Sequence, residues 1–265
     1  MLKPKKSLGQ NFLIDKNTIK KLADLVDNYD NIIEIGPGTG NLTKEIISKK
    51  PSNLILIEKD NELYKLLKGE LNYKNIKIMN KDVLQVDLEK LTSNKTVIFG
   101  NLPYNISTQI LVKLLKFKKW PPKYTQLILM FQREVAERIM AKFNTKKYSR
   151  LTVISNWRLK IVRSFNVSNN CFYPKPKVDS TVLVLKPIEN NKYKIKDISN
   201  LEKITQIFFS NKRKMINKNF KKLFSQYEEI SQKLEIDLNL RPGALSENQY
   251  YKMCEFFESM NKKNL

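Results

Sequence analysis

Short apolar runs alternate with amphipathic stretches over the first two thirds of the chain. The runs are Ile32–Ile35, Leu54–Ile57, Ile76–Met79, Thr96–Phe99, Leu127–Met130, Leu159–Phe165 and Val182–Leu185. Between them, apolar residues recur at helical spacing over Leu42–Lys50, Asn61–Leu71, Ser107–Phe117 and Arg133–Lys142. Near-continuous apolar strands separated by helices predict an α/β fold with a mainly parallel sheet covered on both faces. The last two runs lie closer together, which predicts an antiparallel hairpin at one edge.

After Lys186–Pro187 the pattern changes. Residues 188–200 are polar and rich in Asn and Lys, and everything beyond reads as helix. Arg241-Pro242-Gly243 interrupts that region before a final helix over Ser246–Met260, with Ser246 as its N-cap. Two domains follow, residues 1–190 and a small all-helical domain over 191–265. No stretch has the roughly 18 consecutive apolar residues of a membrane span, and the N-terminus lacks an apolar signal core. A soluble, unexported, cytoplasmic protein is expected.

Composition narrows the chemistry. The chain has no histidine, which excludes Ser-His-Asp triads, imidazole acid–base catalysis and His-ligated zinc. Cys171 and Cys254 are far apart, read as free thiols, and give no metal-site spacing. No metal is expected. The net charge of +23, from 49 Lys+Arg against 26 Asp+Glu, makes nucleic acid the first candidate partner.

Three of the seven glycines fall in Gly36-Pro37-Gly38-Thr39-Gly40, directly after the first strand. Glycine lets backbone turn tightly and approach a ligand, and the helix that follows offers free N–H groups to an anion. The GxGxG spacing differs from the GxGxxG of dinucleotide binders and suits the carboxylate of S-adenosylmethionine. Glu58 ends the second strand, where an acid can accept both ribose hydroxyls of an adenosine cofactor. Asp82, after the third strand, can accept from the cofactor's adenine amino group.

Asn101-Leu102-Pro103-Tyr104 follows the fourth strand. The N6 amino group of adenine is a poor nucleophile because its lone pair is delocalised into the ring. The Asn101 side-chain carbonyl and the main-chain carbonyl of Leu102 or Pro103 can accept its two N–H bonds. That favours the pyramidal nitrogen needed for in-line attack on a sulfonium methyl group. The methylated nitrogen sheds its proton to water, so no histidine base is required. Tyr104 supplies a flat face for an unpaired or flipped base. Phe172, in Phe172-Tyr173-Pro174-Lys175-Pro176-Lys177-Val178-Asp179-Ser180, is either a second stacking face or ordinary core. Lys175 and Lys177 on that loop can meet backbone phosphate.

With Lys6-Ser7-Leu8-Gly9-Gln10-Asn11-Phe12-Leu13, Phe131-Gln132-Arg133-Glu134-Val135-Ala136 and Arg241-Pro242-Gly243-Ala244-Leu245-Ser246, these motifs resemble the ribosomal RNA adenine dimethyltransferases. The closing motif favours the family's small-subunit branch. The resemblance implies a Rossmann-like class I methyltransferase fold, with a seven-stranded mainly parallel sheet and a helical C-terminal domain that binds RNA or the ribosome. It implies cofactor contacts from Asn11, Leu13, Gly36, Gly38, Glu58, Asp82 and Asn101. The implied substrate is a pair of adjacent adenosines in a hairpin near the 3′ end of small-subunit rRNA, each dimethylated within an assembling subunit by a monomeric enzyme. One departure lies in the basic segment after the linker, where the family carries several arginines. This chain reads Asn211-Lys212-Arg213-Lys214-Met215, so Lys212, Arg213 and Lys214 keep the charge, but lysine lacks arginine's bidentate fork. Two rival readings keep most of these motifs: a large-subunit rRNA methyltransferase of the macrolide-resistance type, and a non-catalytic ribosome-assembly factor. A nicotinamide-dependent dehydrogenase is disfavoured by the glycine spacing and the missing histidine.

Overall fold

A computed structural model of the chain describes residues 4–26 and 30–261. Its elements run β1 (Phe12–Leu13), α1 (Lys16–Ala23), β2 (Asn31–Ile35), α2 (Asn41–Ser48), β3 (Asn53–Glu58), α3 (Asn61–Glu70), β4 (Ile76–Asn80) and α4 (Leu88–Leu91). They continue with β5 (Thr96–Asn101), α5 (Ser107–Leu115), β6 (Tyr124–Gln132), α6 (Arg133–Ile139), α7 (Arg150–Arg158), β7 (Leu159–Val167), β8 (Phe172–Tyr173) and β9 (Ser180–Pro187). Four helices follow: α8 (Ile198–Phe209), α9 (Asn217–Leu223), α10 (Tyr227–Lys233) and α11 (Glu247–Asn261).

Seven strands form one sheet in the order β4-β3-β2-β5-β6-β9-β7. The five from β4 to β6 are parallel, and all seven apolar runs of the sequence are strands of this sheet. Its centre is dry: Ile32, Ile33, Ile35, Ile98 and Phe99 are each at most 1% exposed. Burying one such side chain contributes roughly 1.5–3 kcal/mol, which is why the central runs show no polar alternation. The rim strands β4 and β7 do carry exposed positions. The last two runs, β7 and β9, are hydrogen-bonded neighbours at one edge, as expected. β9 inserts between β6 and β7 and runs antiparallel to β6, with Gln132 opposite Ser180. That register brings the first residue of β9 to the carboxyl end of β6.

By contact the chain divides into one unit of Met1–Ala136 with Lys160–Pro187 and another of Glu137–Leu159 with Ile188–Leu265. The change of pattern near 190 marks the later crossing. Residues 137–159, placed with the sheet by the sequence pattern, belong with the C-terminal helices for specific reasons. Tyr251 donates its hydroxyl to Val153 C=O at 2.9 Å, and Asn144 donates its N–H to Gly243 C=O at 2.7 Å. In that helical unit Phe208, Phe220 and Tyr250 are fully buried and meet edge to face, with Phe208 at 6.5 and 5.8 Å from the other two rings. Ser246 caps α11 as expected: its hydroxyl accepts the Gln249 N–H, and the Gln249 side chain accepts the Ser246 N–H at 2.9 Å. Among the described residues no helix is long and apolar enough to cross a membrane, and both cysteines are free thiols.

Candidate active site

The carboxyl ends of β2, β3 and β5, with the turn after β4, open into one cavity, walled on another side by Ser7–Leu13. Ligands of open α/β sheets sit outside these ends because the strand-to-helix loops there diverge. The glycine turn after β2 needs its glycines for a stated reason. Gly38 has φ +60°, and a Cβ on it would come within 2.9 Å of the Phe12 ring. No larger residue fits without moving the segment that walls the cavity.

Glu58, 6% exposed, ends β3. Its carboxylate accepts the Asp60 N–H at 2.8 Å and the Gly38 N–H at 3.1 Å, so it ties the glycine turn to the neighbouring strand. Burial pushes its pKa up, and those backbone N–H groups pull it back toward the ordinary range. Asp82 accepts from Lys59 Nζ at 2.8 Å and from the Leu84 N–H at 2.9 Å. Lys59 is the chief reason its carboxyl is held below the usual range. A carboxylate has about four acceptor sites, so both acids keep capacity for a ligand.

Asn101 is the last residue of β5. Its amide Nδ2 donates to Asn11 C=O at 3.0 Å, which assigns the amide's orientation and leaves Oδ1 as its acceptor. Leu102 buries its side chain, 1% exposed, so only its backbone can meet a ligand. Pro103 C=O already accepts the Ile106 N–H at 3.1 Å in the turn into α5. Tyr104, in the turn between β5 and α5, is half-buried, and its hydroxyl lies 2.8 Å from the hydroxyl of Ser180, the first residue of β9.

Residues outside the sequence expectations hold the wall in place. Gln10 donates to Asp60 at 2.8 Å while accepting the Lys5 N–H at 2.7 Å, and Lys5 Nζ reaches Asp60 at 3.0 Å. Burial disfavours the Asp60 carboxylate, but Lys5 and Gln10 outweigh it and keep its carboxyl below the usual range. Asn41 donates to Leu13 C=O at 2.8 Å, and β1 pairs with β8, Leu13 opposite Phe172. Asn11 and Leu13 thus reach the cavity on a segment anchored at both ends. Glu34, the first residue of the glycine motif, is 2% exposed and accepts from Thr43 Oγ1 at 2.7 Å. Burial drives its pKa up to about 7, against the Thr43 bond and with a smaller contribution from Glu58. Gln10 lies inside the N-terminal motif and Asp60 shows the N-cap signature before α3, so a sequence signal existed for both. Nothing in the sequence joined them.

The stacking candidates separate. Phe172 is 3% exposed and belongs to the hydrophobic core with Leu13, while its neighbour Tyr173 is 56% exposed. Strand alternation in β8 decides this, and it favours the core reading of Phe172. Tyr104 is the candidate ring left at the cavity. Lys175 and Lys177 are exposed. In the helical unit Lys212, Arg213 and Lys214 are exposed, and Lys212 donates to the carbonyls of Lys146 and Tyr148 at 2.8 and 2.6 Å. Partial burial of the ammonium group lowers its pKa. Lys212 thus ties down a loop with two of its three donors while its side chain remains exposed.

A family model described as ribosomal RNA adenine dimethylase matches residues 1–259. The ribosomal RNA small subunit methyltransferase A of Pelagibacter ubique is 45% identical over 98% of both chains. That of Malacoplasma penetrans is 41% identical over 96% of this chain and 92% of its own. Among solved structures, a dimethyladenosine transferase from Plasmodium falciparum has a TM-score of 0.74 at 26% identity, covering 96% of this chain and 98% of its own. The 23S rRNA methyltransferase ErmE shares the fold, with a TM-score of 0.66 at 23% identity over 95% of this chain and 100% of its own.

Proposed function

The chain belongs to the ribosomal RNA adenine dimethylase family, and we propose that it dimethylates N6 of two adjacent adenosines near the 3′ end of small-subunit rRNA. The donor is S-adenosylmethionine, and the substrate is carried on an assembling subunit in the cytoplasm, where the protein acts as a monomer. The observation that carries the reading is the Asn101 amide, held by Asn11 C=O with its oxygen left to accept.

The residues present fit the donor. Glu58 is a buried acid at a strand end, suited to a ribose diol, and the Gly38 turn has no room for a side chain. Asp82 would accept from the adenine amino group, and Asn11 and Leu13, which line the same cavity, would hold the ligand from the other side. S-adenosylmethionine bound there would supply an electrophilic methyl group, with the neutral thioether S-adenosylhomocysteine as the product.

The chain's own residues prepare the nucleophile. Asn101 Oδ1 accepts one N6 hydrogen. Leu102 C=O accepts the other, because Pro103 C=O is engaged by Ile106. Two fixed acceptors localise the nitrogen lone pair and aim it along the line of transfer. On receiving the methyl group N6 would become cationic and give its proton to water, so the chain's own residues need supply no base. Tyr104 stacks on the base, and its tether to Ser180 fixes the ring plane. Lys175, Lys177, Arg213 and Lys214 meet phosphate.

The test is transfer from labelled S-adenosylmethionine to undermethylated small subunits, beside Asn101→Ala, with labelled nucleotides mapped. Label on two neighbouring adenosines near the 3′ end, lost in the variant, is the expected result. Label on large-subunit RNA instead would assign the macrolide-resistance type of target. Binding to subunits without any transfer would make the protein an assembly factor.

A further inference from the structure

We propose that the end of the sheet opposite the cavity is a second rRNA-docking surface, which grips the phosphate backbone of the structured subunit; the inference rests on the small-subunit reading above. β4, β3, β2, β5 and β6 are parallel, so the loops leading into them share one edge. Those loops carry Lys50, Lys74, Lys95, Lys118, Lys119 and Lys123, all exposed. None of the six has a carboxylate partner among the described residues, whereas the acids close by are engaged. Asp24 is paired with Lys49, and the Glu89 carboxylate accepts the backbone N–H groups of Lys118 and Lys119 at 2.9 and 2.8 Å.

The edge is built as one piece. Asn53 Nδ2 donates to Asn31 Oδ1 at 3.0 Å, and Asn31 Nδ2 donates to Asn94 C=O at 3.0 Å. Asn75 Nδ2 donates to Pro51 C=O at 2.7 Å. Side-chain amides thus knit the loops before β2, β3, β4 and β5 together. Five strands at about 4.8 Å spacing make the rim about 20 Å long. Loop geometry does not select the lysines: Lys50 and Lys95 have φ +57° and +60°, where glycine or asparagine is less strained.

A row of unpaired ammonium groups on a rigid frame suits sequence-independent phosphate contact. Tyr73, 53% exposed beside Lys74, adds a face for an unpaired base, which favours RNA over an acidic protein surface. Strands of this length separate the rim from the cavity by about 20 Å. A short hairpin seated at the cavity does not span that distance, but a ribosomal subunit does.

The experiment compares the protein with a variant carrying Lys→Gln at all six positions and with a matching Lys→Arg set. Affinity for undermethylated small subunits and for a short hairpin bearing the two adenosines is measured across salt concentrations. For the Gln set, subunit affinity is expected to fall at least about tenfold, and the slope of log affinity against log salt to flatten by about 0.7–0.9 per lost phosphate contact. Hairpin affinity and cofactor affinity should stay as they were, and the Arg set should restore subunit binding. Unchanged subunit affinity and slope, or an equal loss on the hairpin, would overturn the proposal. If the Gln set also loses cofactor affinity, a smaller set at Lys74, Lys95 and Lys123 decides by the same criteria. If the unsubstituted protein methylates no RNA, the functional reading falls, while the binding comparison still judges the rim.

Discussion

Asn101 donates its side-chain N–H to the backbone carbonyl of Asn11, 90 residues earlier, at 3.0 Å. One bond therefore orients the residue at the centre of the proposed chemistry and anchors the segment that walls the cavity. Asn101→Asp removes the donor and sets a carboxylate against that carbonyl. Transfer should fall at least about 100-fold, the scale on which a preorganised polar contact matters in a transition state. Hydrogen exchange across residues 7–13 should quicken in the same variant. Slow exchange there, beside lost activity, would detach the wall from Asn101.

Gln10 bridges the Lys5 N–H and the Asp60 carboxylate. In Gln10→Ala the wall must be ordered by the ligand itself. Losing two hydrogen bonds worth together about 1–2 kcal/mol should raise the cofactor Kd roughly five- to thirtyfold. The kcat at saturating cofactor should change less than about twofold, since the loss is one of uniform binding. A Kd at the parent value, measured by calorimetry, would show that the latch is decorative.

Asp60 sets the acid limit of that latch. Its carboxyl titrates below the usual range in the fold, so its contribution is fully present above an ordinary aspartate pKa of about 3.9 and is lost as pH falls through the lower folded value. Cofactor affinity should not change through opening of the latch between pH 7 and 5. A sharp loss in that window that Asp60→Asn abolishes would contradict this.

Glu34 behaves in the opposite sense. Unfolded, it ionises near its ordinary value; folded, burial holds it protonated until about pH 7. Between those points rising pH lowers stability, by roughly 3 kcal/mol in total, and above pH 7 the penalty is constant. Glu34→Gln removes the titration. Its denaturation midpoint should therefore vary less between pH 5 and 8 than the parent's. Parallel pH profiles for the two proteins would sink the assignment.

Tyr104 separates ring from hydroxyl. Tyr104→Phe loses only the bond to Ser180 and should cost activity less than about tenfold. Tyr104→Ala loses the stacking face, worth about 1–3 kcal/mol, and should raise KM for RNA by roughly 5- to 150-fold. Equal effects of the two substitutions would mean that the tether, not the ring, is what matters.

Local signals in the chain were enough to place the seven strands, the glycine turn, and Glu58, Asp82 and Asn101 at consecutive strand ends. Those signals are strand periodicity, backbone freedom, and position after an apolar run. The N-terminal motif was legible too, but not what the motif holds. That Gln10 and Lys5 meet Asp60, that Ser180 meets Tyr104, and that residues 137–159 join the C-terminal helices came only with the folded chain. So did the inward turn of Phe172 and the engagement of Lys212 by two carbonyls. Each of these depends on strand order, register or loop docking between residues distant in the chain. Periodicity states which face of an element is buried, but not which distant residue lies against it.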